Sequence, residues 1–262
     1  MKILACIPAR YGSTRFAGKV LAKDTGKFLI QHTYERACLA KLPDKVIIAA
    51  DDERIAAAAT SFHADCILTS PEHKSGTDRI AEAVKELSAE RCPLNADDIV
   101  VNLQADEPEI NPANIDYLVE LLIKNPDYQM ATLAADFQTP QQIADPNIVK
   151  VVTDCDGRAI YFSRAPIPYN REKSGVGELN QYFRHVGIYA YRKEFLLKIT
   201  ALPQTNLEKI EKLEQLRPIE YGHSILVGKV EHICDGIDTP QQYAEFVARY
   251  RSPISKKQAS KS

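Results

Sequence analysis

The first nineteen residues join a hydrophobic run to residue types that bind phosphate. Residues 2–7 are apolar enough for a buried strand, and residues 8–19 continue as Pro-Ala-Arg-Tyr-Gly-Ser-Thr-Arg-Phe-Ala-Gly-Lys. Arg10 and Arg15 can form bidentate hydrogen bonds to phosphate or carboxylate oxygens, and Lys19 adds a point charge. Because ligands of open α/β sheets bind beyond the carboxyl ends of the strands, this segment predicts a loop that binds a polyphosphate. A solvated basic surface loop is the alternative.

Acidic residues lie at two positions where metal ligands are expected. Asp106 and Glu107 follow the apolar segment 99–103. Asp238 follows a short extended segment and precedes the start of a helix. Carboxylates at a strand end commonly hold Mg²⁺, which shares its other positions with water and substrate phosphates. The two acids therefore predict a metal site beside a transferring phosphoryl group, whereas a polar turn and an ordinary helix N-cap are the alternatives.

A loop of small residues precedes a predicted helix at residues 73–79, His-Lys-Ser-Gly-Thr-Asp-Arg. Its backbone amides and hydroxyls could contact the edge of a base, and Arg79 could reach an anion. A simpler interpretation makes Thr77 a helix cap and Arg79 a solvated helical residue.

Arginine, histidine and tyrosine recur farther along the chain, at residues 163–168 and 184–189. This mixture suits a carboxylate that carries many hydroxyl groups, although a single histidine in a strand, such as His185, is more often structural. Glu214 and Gln215 lie in a predicted helix whose leucines face the core. These two polar residues are expected to be solvated unless a pocket faces them.

The elements that must position these residues alternate in type through the first half. Apolar runs of strand length are residues 2–7, 45–50, 66–69 and 99–103, and helical spacing covers residues 29–41, 53–61 and 78–90. This alternation predicts an α/β fold, with a mostly parallel central sheet flanked by helices.

A helix that starts at Pro112 completes this part of the chain, and the sequence that follows it is rich in β-structure. A hairpin is predicted from residues 147–153 and 159–163, followed by a strand at 183–191. Helices at 193–201 and 207–221, a strand near 224–230 and a helix from Pro240 complete the chain. A smaller β-rich lobe therefore follows the half that is typical of nucleotide-binding proteins.

Composition excludes several classes of function. The net charge of the 262 residues is -2, with acids and bases mixed throughout. Nucleic-acid and membrane-surface proteins need a concentrated excess of cations, so the expected partner is a small molecule. No stretch approaches the roughly 20 apolar residues of a membrane span. Six scattered cysteines are expected to be reduced and mostly buried in a cytoplasmic protein, and residues 252–262 are expected to be a disordered tail.

Seven motifs, in this order, resemble those of one family. They are Pro8-Ala9-Arg10-Tyr11 with Ser13-Thr14-Arg15 and Gly18-Lys19; His73 with Ser75-Gly76-Thr77-Asp78-Arg79; Gln104 with Asp106-Glu107-Pro108; Tyr161-Phe162-Ser163-Arg164; Arg184-His185 with Gly187-Ile188-Tyr189; Leu213-Glu214-Gln215-Leu216-Arg217; and Asp238-Thr239-Pro240. The sequence resembles the 3-deoxy-manno-octulosonate (Kdo) cytidylyltransferases, or CMP-Kdo synthetases, from about residue 2 to residue 250.

The resemblance implies a Rossmann-like nucleotidyltransferase fold, a homodimer formed through the β-rich lobe, and the reaction of CTP with Kdo to give CMP-Kdo and pyrophosphate for lipopolysaccharide synthesis. Residues that match the family's CTP-binding motifs are Arg10, Ser13, Lys19, Ser75, Gly76 and Thr77. Mg²⁺ would be held by Asp106 and Asp238, which would act in catalysis together with Arg10 and Lys19. Residues that would surround the sugar acid are Arg15, Gln104, Arg164, His185, Tyr189, Glu214 and Gln215.

The resemblance also implies how the chain is divided. Residues 1–251 would form one nucleotidyltransferase domain, with its nucleotide-binding part at about 1–135 plus 222–251. The sugar-binding and dimerisation lobe would cover about 136–221.

Two departures from the family pattern bear on function. Ala105 replaces the usual glycine before the acids, which requires a negative φ there and room for a methyl group. The family's Pro-Gly-Lys-Pro is Ala-Gly-Lys-Val at residues 17–20, which makes the loop more flexible. The alternatives are a cytidylyltransferase for a related acid, such as 8-amino-Kdo or a sialic acid, and a nucleotide-binding protein without catalytic activity.

Overall fold

The computed structural model describes residues 1–12, 16–90 and 93–252, without the side chains of 88–90. Its strands are β1 (Ile3–Ala9), β2 (Lys45–Ala50), β3 (Asp65–Leu68), β4 (Ile99–Asn102), β5 (Met130–Asp136), β6 (Lys150–Thr153), β7 (Ala159–Ser163), β8 (Phe183–Arg192) and β9 (Leu226–Val230). Its α-helices are α1 (Leu29–Ala37), α2 (Glu53–Ser61), α3 (Gly76–Glu90), α4 (Pro112–Lys124), α5 (Pro140–Ala144), α6 (Lys193–Ala201), α7 (Asn206–Glu211), α8 (Leu216–Glu220) and α9 (Pro240–Arg251). Ser13, Arg15 and the predicted tail from residue 253 onward lie outside the described residues.

All nine of these strands belong to one sheet, whose main path runs β3-β2-β1-β4-β8-β5-β9. The pairings of β1 with β2 and β4, of β2 with β3, and of β5 with β9 are parallel. Only β8 along this path runs in the opposite direction, because it is antiparallel to both β4 and β5. The hairpin β6–β7 is attached through β6 to the start of β8. The prediction of a mostly parallel central sheet with a β-rich segment is confirmed.

Helices cover both faces of this sheet, and β1 shows why its sequence is apolar without alternation. Ile3, Ala5 and Ile7 pack into one buried cluster together with α1 and α4. Leu4 and Cys6 pack into another, together with α3 and α6. A strand buried on both faces needs apolar residues at every position. The carboxyl ends of β1 and β4 are therefore held rigidly where the predicted phosphate loop and acids follow.

The predicted helix over residues 207–221 is wrong, because the chain breaks there into α7 and α8. Lys212 ends α7 in the left-handed conformation, with φ 55° and ψ 46°. Across the break, Arg217 binds the carboxylate of Glu208 through two hydrogen bonds of 2.7 and 2.9 Å. Both side chains are buried, at 5% and 3% exposure. This buried ion pair holds the turn that carries Glu214 and Gln215, so those residues leave the helix surface.

Two elements were not predicted from the sequence. β5 reads Met-Ala-Thr-Leu-Ala-Ala-Asp, in which alanine weakens the strand signal. It nevertheless lies inside the sheet between β8 and β9, where tertiary packing outweighs local preference. The short α5 follows the capping residue Thr139 and begins with Pro140.

The described cysteines carry no disulfide, which agrees with the prediction of reduced thiols. Their burial does not agree with it, since Cys6 is buried whereas Cys38, Cys155 and Cys234 are exposed. None of the described helices is long and apolar enough to cross a membrane.

Candidate active site

A lysine and two aspartates from three distant parts of the chain meet at one point. Lys19 Nζ lies 2.5 Å from Asp106 Oδ2 and 2.9 Å from Asp238 Oδ1. The same ammonium donates to the carbonyl oxygen of Ile237 at 2.9 Å, and the amide of Ile237 donates to the carbonyl oxygen of Asp106 at 2.8 Å. The fold therefore brings together the acids that the sequence separates by more than a hundred residues.

The turn that presents Lys19 depends on a glycine. Gly18 has φ 64°, a conformation that side chains disfavour, and the 3₁₀ turn Lys19–Leu21 follows it directly. The ring of Tyr11 lies 3.4 Å from the position that a Cβ at Gly18 would take. Val20 is buried in the core at 3% exposure, so the turn is anchored although the family's proline is absent.

A cleft of about 590 Å³ opens above this cluster at the carboxyl ends of β1 and β4. Eight of the predicted site residues line it, namely Arg10, Lys19, Ser75, Gly76, Gln104, Asp106, Glu214 and Asp238. Cations and acids both face the space, as a site for a phosphate chain and its counter-ion requires.

The loop before α3 forms one wall of the cleft. Ser75 Oγ accepts a hydrogen bond from the amide of Asp78 at 3.0 Å, so Ser75 caps the helix that was predicted to begin two residues after Gly76. A Cβ at Gly76 would lie 3.2 Å from the ring of Pro8, so only glycine fits there without displacement. Thr77 lies just inside the helix, outside the lining of the cleft, and its hydroxyl donates to Glu214 Oε2 at 2.6 Å. That hydrogen bond ties the loop to the turn between α7 and α8.

Arg79 lies beneath this wall. It is 3% exposed and donates to Thr69 Oγ1 at 2.8 Å and to the carbonyl oxygen of Ser70 at 3.2 Å. The simpler interpretation of a solvated helical arginine is therefore wrong, since the buried guanidinium supports the loop from inside and Arg79 also lines the cleft.

A second cavity of about 240 Å³ adjoins the cleft. Predicted sugar-acid residues that line it are Gln104, His185, Tyr189, Glu214 and Gln215. The two cavities share four lining residues, which are Gly76, Gln104, Lys212 and Glu214. Gln104 Nε2 donates to the carbonyl oxygen of Gly187 at 3.1 Å, which fixes its side chain at the junction. The arrangement fits two ligands that meet at one shared wall.

His185 enters the smaller cavity as a neutral imidazole. Thr132 Oγ1 donates to the carbonyl oxygen of Ile188 at 2.8 Å and lies 3.0 Å from His185 Nε2. Since the hydroxyl proton goes to that carbonyl, Nε2 carries the ring proton, which assigns the tautomer. Burial lowers the pKa of His185 to about 3. The residue can therefore exchange hydrogen bonds with a ligand, but it carries no charge near neutral pH.

Burial also changes the acidity of other groups around the two cavities. It raises the pKa of Tyr189 well above its ordinary value, so the phenol stays protonated. The pKa of Glu214 is raised by burial and lowered in part by the hydrogen bond from Thr77. Burial, together with the neighbouring charge of Asp106, raises the pKa of Glu107 to about 8.

Arg164 lies apart from the lining of both cavities. Its side chain donates to the carbonyl oxygens of Glu211 at 2.7 Å and Pro146 at 2.9 Å. The carbonyl oxygen of Arg164 accepts from Lys150, which is fully buried and also binds the carbonyl oxygens of Asp145 and Ile148. In this structure Arg164 joins the hairpin to α7, and its contact with a sugar acid stays a prediction.

Lys212 was missed by the sequence analysis. It lines both cavities, and its positive φ turns the chain so that the side chain faces the junction. The predicted continuous helix concealed it, because a lysine on a helix surface is usually solvated. Its position directly before the motif Leu-Glu-Gln-Leu-Arg was the available signal.

Ala105, which replaces the family's usual glycine, meets the requirement for a negative φ and for room for its methyl group. Ala105 is not one of the described non-glycine residues that have a positive φ. Its side chain is buried in the core, with 7% exposure. Its carbonyl oxygen accepts from Thr33 Oγ1 at 3.2 Å. The methyl group is therefore accommodated.

The fold and the paired cavities define an α/β nucleotidyltransferase. The sequence model of the cytidylyltransferase family matches residues 4–225. A 3-deoxy-manno-octulosonate cytidylyltransferase of Solibacter usitatus (strain Ellin6076) is 47% identical over 253 residues, which cover 97% of this chain and 96% of that protein. The chain belongs to the 3-deoxy-manno-octulosonate cytidylyltransferase family.

Two further relatives are informative. The solved structure of a CMP:2-keto-3-deoxy-manno-octonic acid synthetase complexed with CTP is 38% identical, with a TM-score of 0.86, and the match covers 95% of this chain and 98% of that one. An 8-amino-3,8-dideoxy-manno-octulosonate cytidylyltransferase of Shewanella frigidimarina (strain NCIMB 400) is 45% identical, over 92% of this chain and 95% of that protein.

Proposed function

We propose that this protein transfers CMP from CTP to the anomeric hydroxyl of Kdo, giving CMP-Kdo and pyrophosphate for lipopolysaccharide synthesis. The observation that carries the proposal is the junction of the two cavities. The larger one is lined by the cations Arg10 and Lys19 and by the acid pair, and the smaller one adds neutral hydrogen-bonding groups, such as His185 and Tyr189, to the Lys212 and Glu214 that both cavities share. CTP occupies the larger cavity and the sugar acid the smaller one, so the reacting atoms meet at the shared wall.

The reaction needs little covalent chemistry from the protein. The anomeric oxygen of Kdo forms a bond to the α-phosphorus of CTP, and the bond to the departing pyrophosphate breaks in line with it. Positioning and charge stabilisation then account for most of the rate. Arg10 and Lys19 bind the phosphates, Gln104 holds the sugar acid at the junction, and Lys212 places a cation between the two ligands.

Mg²⁺ is part of this proposal, and the donor set fits it. Two carboxylates already converge on one cation, since Lys19 Nζ lies within 3 Å of both Asp106 and Asp238. The described residues contain no group of three or more His, Cys, Asp or Glu side chains that could hold a metal. Two carboxylates, with water and substrate phosphates at the other positions, are the usual Mg²⁺ environment. Asp106 and Asp238 would hold the ion, which supplies neutralisation of the phosphate charge when bound.

A cytoplasmic homodimer assembled through the β-rich segment also belongs to the proposal. Ile160 on β7 and Tyr169 in the following loop are 57% and 67% exposed. Within the described residues, β7 pairs as a strand with β6 alone, and Ala159 at its start donates to the carbonyl oxygen of Ile225, so the rest of its outer edge is available to a second copy. Sedimentation equilibrium tests this part, and an Ile160→Lys variant should shift the protein toward monomer.

Pyrophosphate release tests the reaction. Purified protein, CTP and Mg²⁺ are combined with Kdo, 8-amino-Kdo, N-acetylneuraminate or no sugar. Turnover with Kdo above all others supports the proposal. Preference for 8-amino-Kdo would keep the chemistry and change the substrate, and release with none of the acids would refute the proposed function.

A further inference from the structure

Asn102 is a polar residue at a position where the fold otherwise uses apolar ones. It ends β4, whose other residues, Ile99, Val100 and Val101, are apolar and fully buried. Asn102 is itself only 2% exposed. Burial of an amide in such surroundings lowers stability unless its polar atoms are hydrogen-bonded.

The carboxamide oxygen of Asn102 has no such partner among the described residues. Native proteins rarely leave a buried acceptor unpaired, and each case needs an explanation. Asn102 lines the smaller cavity, and its register partner on β8 is Tyr189, which lines the same cavity. The unpaired acceptor therefore belongs to a residue of the cavity wall.

Gln215 provides the complementary atom. It is 4% exposed and lines the same cavity, and its Nε2 is also without a hydrogen-bond partner in the described part of the chain. One buried unpaired acceptor and one buried unpaired donor at the same cavity match a hydroxyl-bearing ligand, because a hydroxyl group both donates and accepts. The third such atom among the described residues, Thr205 Oγ1, belongs to a residue outside the lining of both cavities.

We propose that Asn102 determines substrate specificity by accepting a hydrogen bond from a hydroxyl group of the sugar acid. This inference rests on the proposed function. The acceptor is paired only when the correct acid is bound, so an acid that lacks the hydroxyl leaves the amide buried and unpaired. A site of this type discriminates against the incomplete analogue, because binding that analogue removes the acceptor from water without pairing it.

The test combines Asn102→Leu with a series of Kdo analogues that each lack one hydroxyl. The wild-type protein should lose roughly 10- to 100-fold in kcat/KM with one of these analogues. Asn102→Leu should lose a similar factor with Kdo itself and almost nothing more with that analogue. The KM for CTP should stay unchanged, because Asn102 does not line the larger cleft. Lys209→Met, on the exposed face of α7 and outside the lining of both cavities, is the control and should match the wild-type kinetics.

Two results would overturn the inference. In one, Asn102→Leu keeps its kcat/KM for Kdo within about twofold of the wild type. In the other, the variant loses the same factor with Kdo and with every analogue, which would mean a structural role. If the leucine variant does not fold, Asn102→Ala takes its place in the same series. An inactive wild-type protein with Kdo would refute the proposed function instead, so the two failures are distinguishable.

Discussion

The buried imidazole of His185 should make the stability of this protein depend on pH in a predictable direction. Burial lowers the pKa of His185 to about 3 from an ordinary value of 6.5. Below pH 6.5, His185 binds a proton in the unfolded state but stays neutral in the folded state. The stabilising effect of the neutral imidazole is therefore complete above pH 6.5 and is lost as the pH falls toward 3.

The magnitude follows from this difference in proton binding. At pH 5.5, one unit below the unfolded pKa, protonation of His185 in the unfolded state lowers the free energy of unfolding by about 1.4 kcal/mol. At pH 7.5 the same effect is about 0.1 kcal/mol. His185→Gln keeps a donor for Thr132 but does not titrate. The wild-type protein should therefore lose about 1.3 kcal/mol more than the variant between pH 7.5 and 5.5.

Urea denaturation at fixed protein concentration measures this difference. Glu107 acts in the opposite direction, because its raised pKa makes the folded state bind the extra proton between pH 4.5 and 8. Both proteins contain Glu107, so its effect cancels in the comparison. Equal losses of unfolding free energy in the two proteins would show that His185 is not held neutral by burial.

Three further predictions concern the site and its support. Asp106→Asn or Asp238→Asn should lower kcat by at least about 100-fold while circular dichroism shows an intact fold, and near-normal turnover of either variant would contradict the metal assignment. Lys212→Met should lower kcat/KM for the sugar acid about tenfold because it removes the cation at the junction, whereas Lys209→Met, on the exposed face of α7, should have no effect in the same pyrophosphate assay. Glu208→Gln should lower the unfolding free energy by about 3 kcal/mol, since it leaves a buried guanidinium without its carboxylate; a loss below about 1 kcal/mol would mean that the ion pair is dispensable.

Local sequence patterns were sufficient for the elements that are buried on both faces. Short stretches of sequence contain the hydrophobic runs and helical spacings that predicted β1, β2, β4 and the helices between them. β5 escaped the same reasoning, because its alanines resemble neither pattern strongly and the partners that stabilise it come from residues 183–192 and 226–230.

The turn between α7 and α8 shows another limit of local patterns. Residues 207–221 have continuous helical spacing, but the ion pair between Glu208 and Arg217 and the left-handed Lys212 favour a break. Such a pair forms only when burial removes both side chains from water, and that burial depends on the whole fold. The pattern therefore located Glu214 and Gln215 in the sequence correctly, but it placed them on a continuous helix instead of in a turn.

The sequence alone determined the alternation of strands and helices, the acidic and cationic segments at their ends, and the family to which the chain is similar. These properties depend on residue types and short spacings. The tertiary structure decided that Asp106 and Asp238 share one lysine, that Lys212 lines two cavities, and that the carboxamide oxygen of Asn102 has no partner within residues 1–12, 16–90 and 93–252. Each of these depends on groups that are far apart along the chain, and their proximity follows only from the packing of the complete sheet.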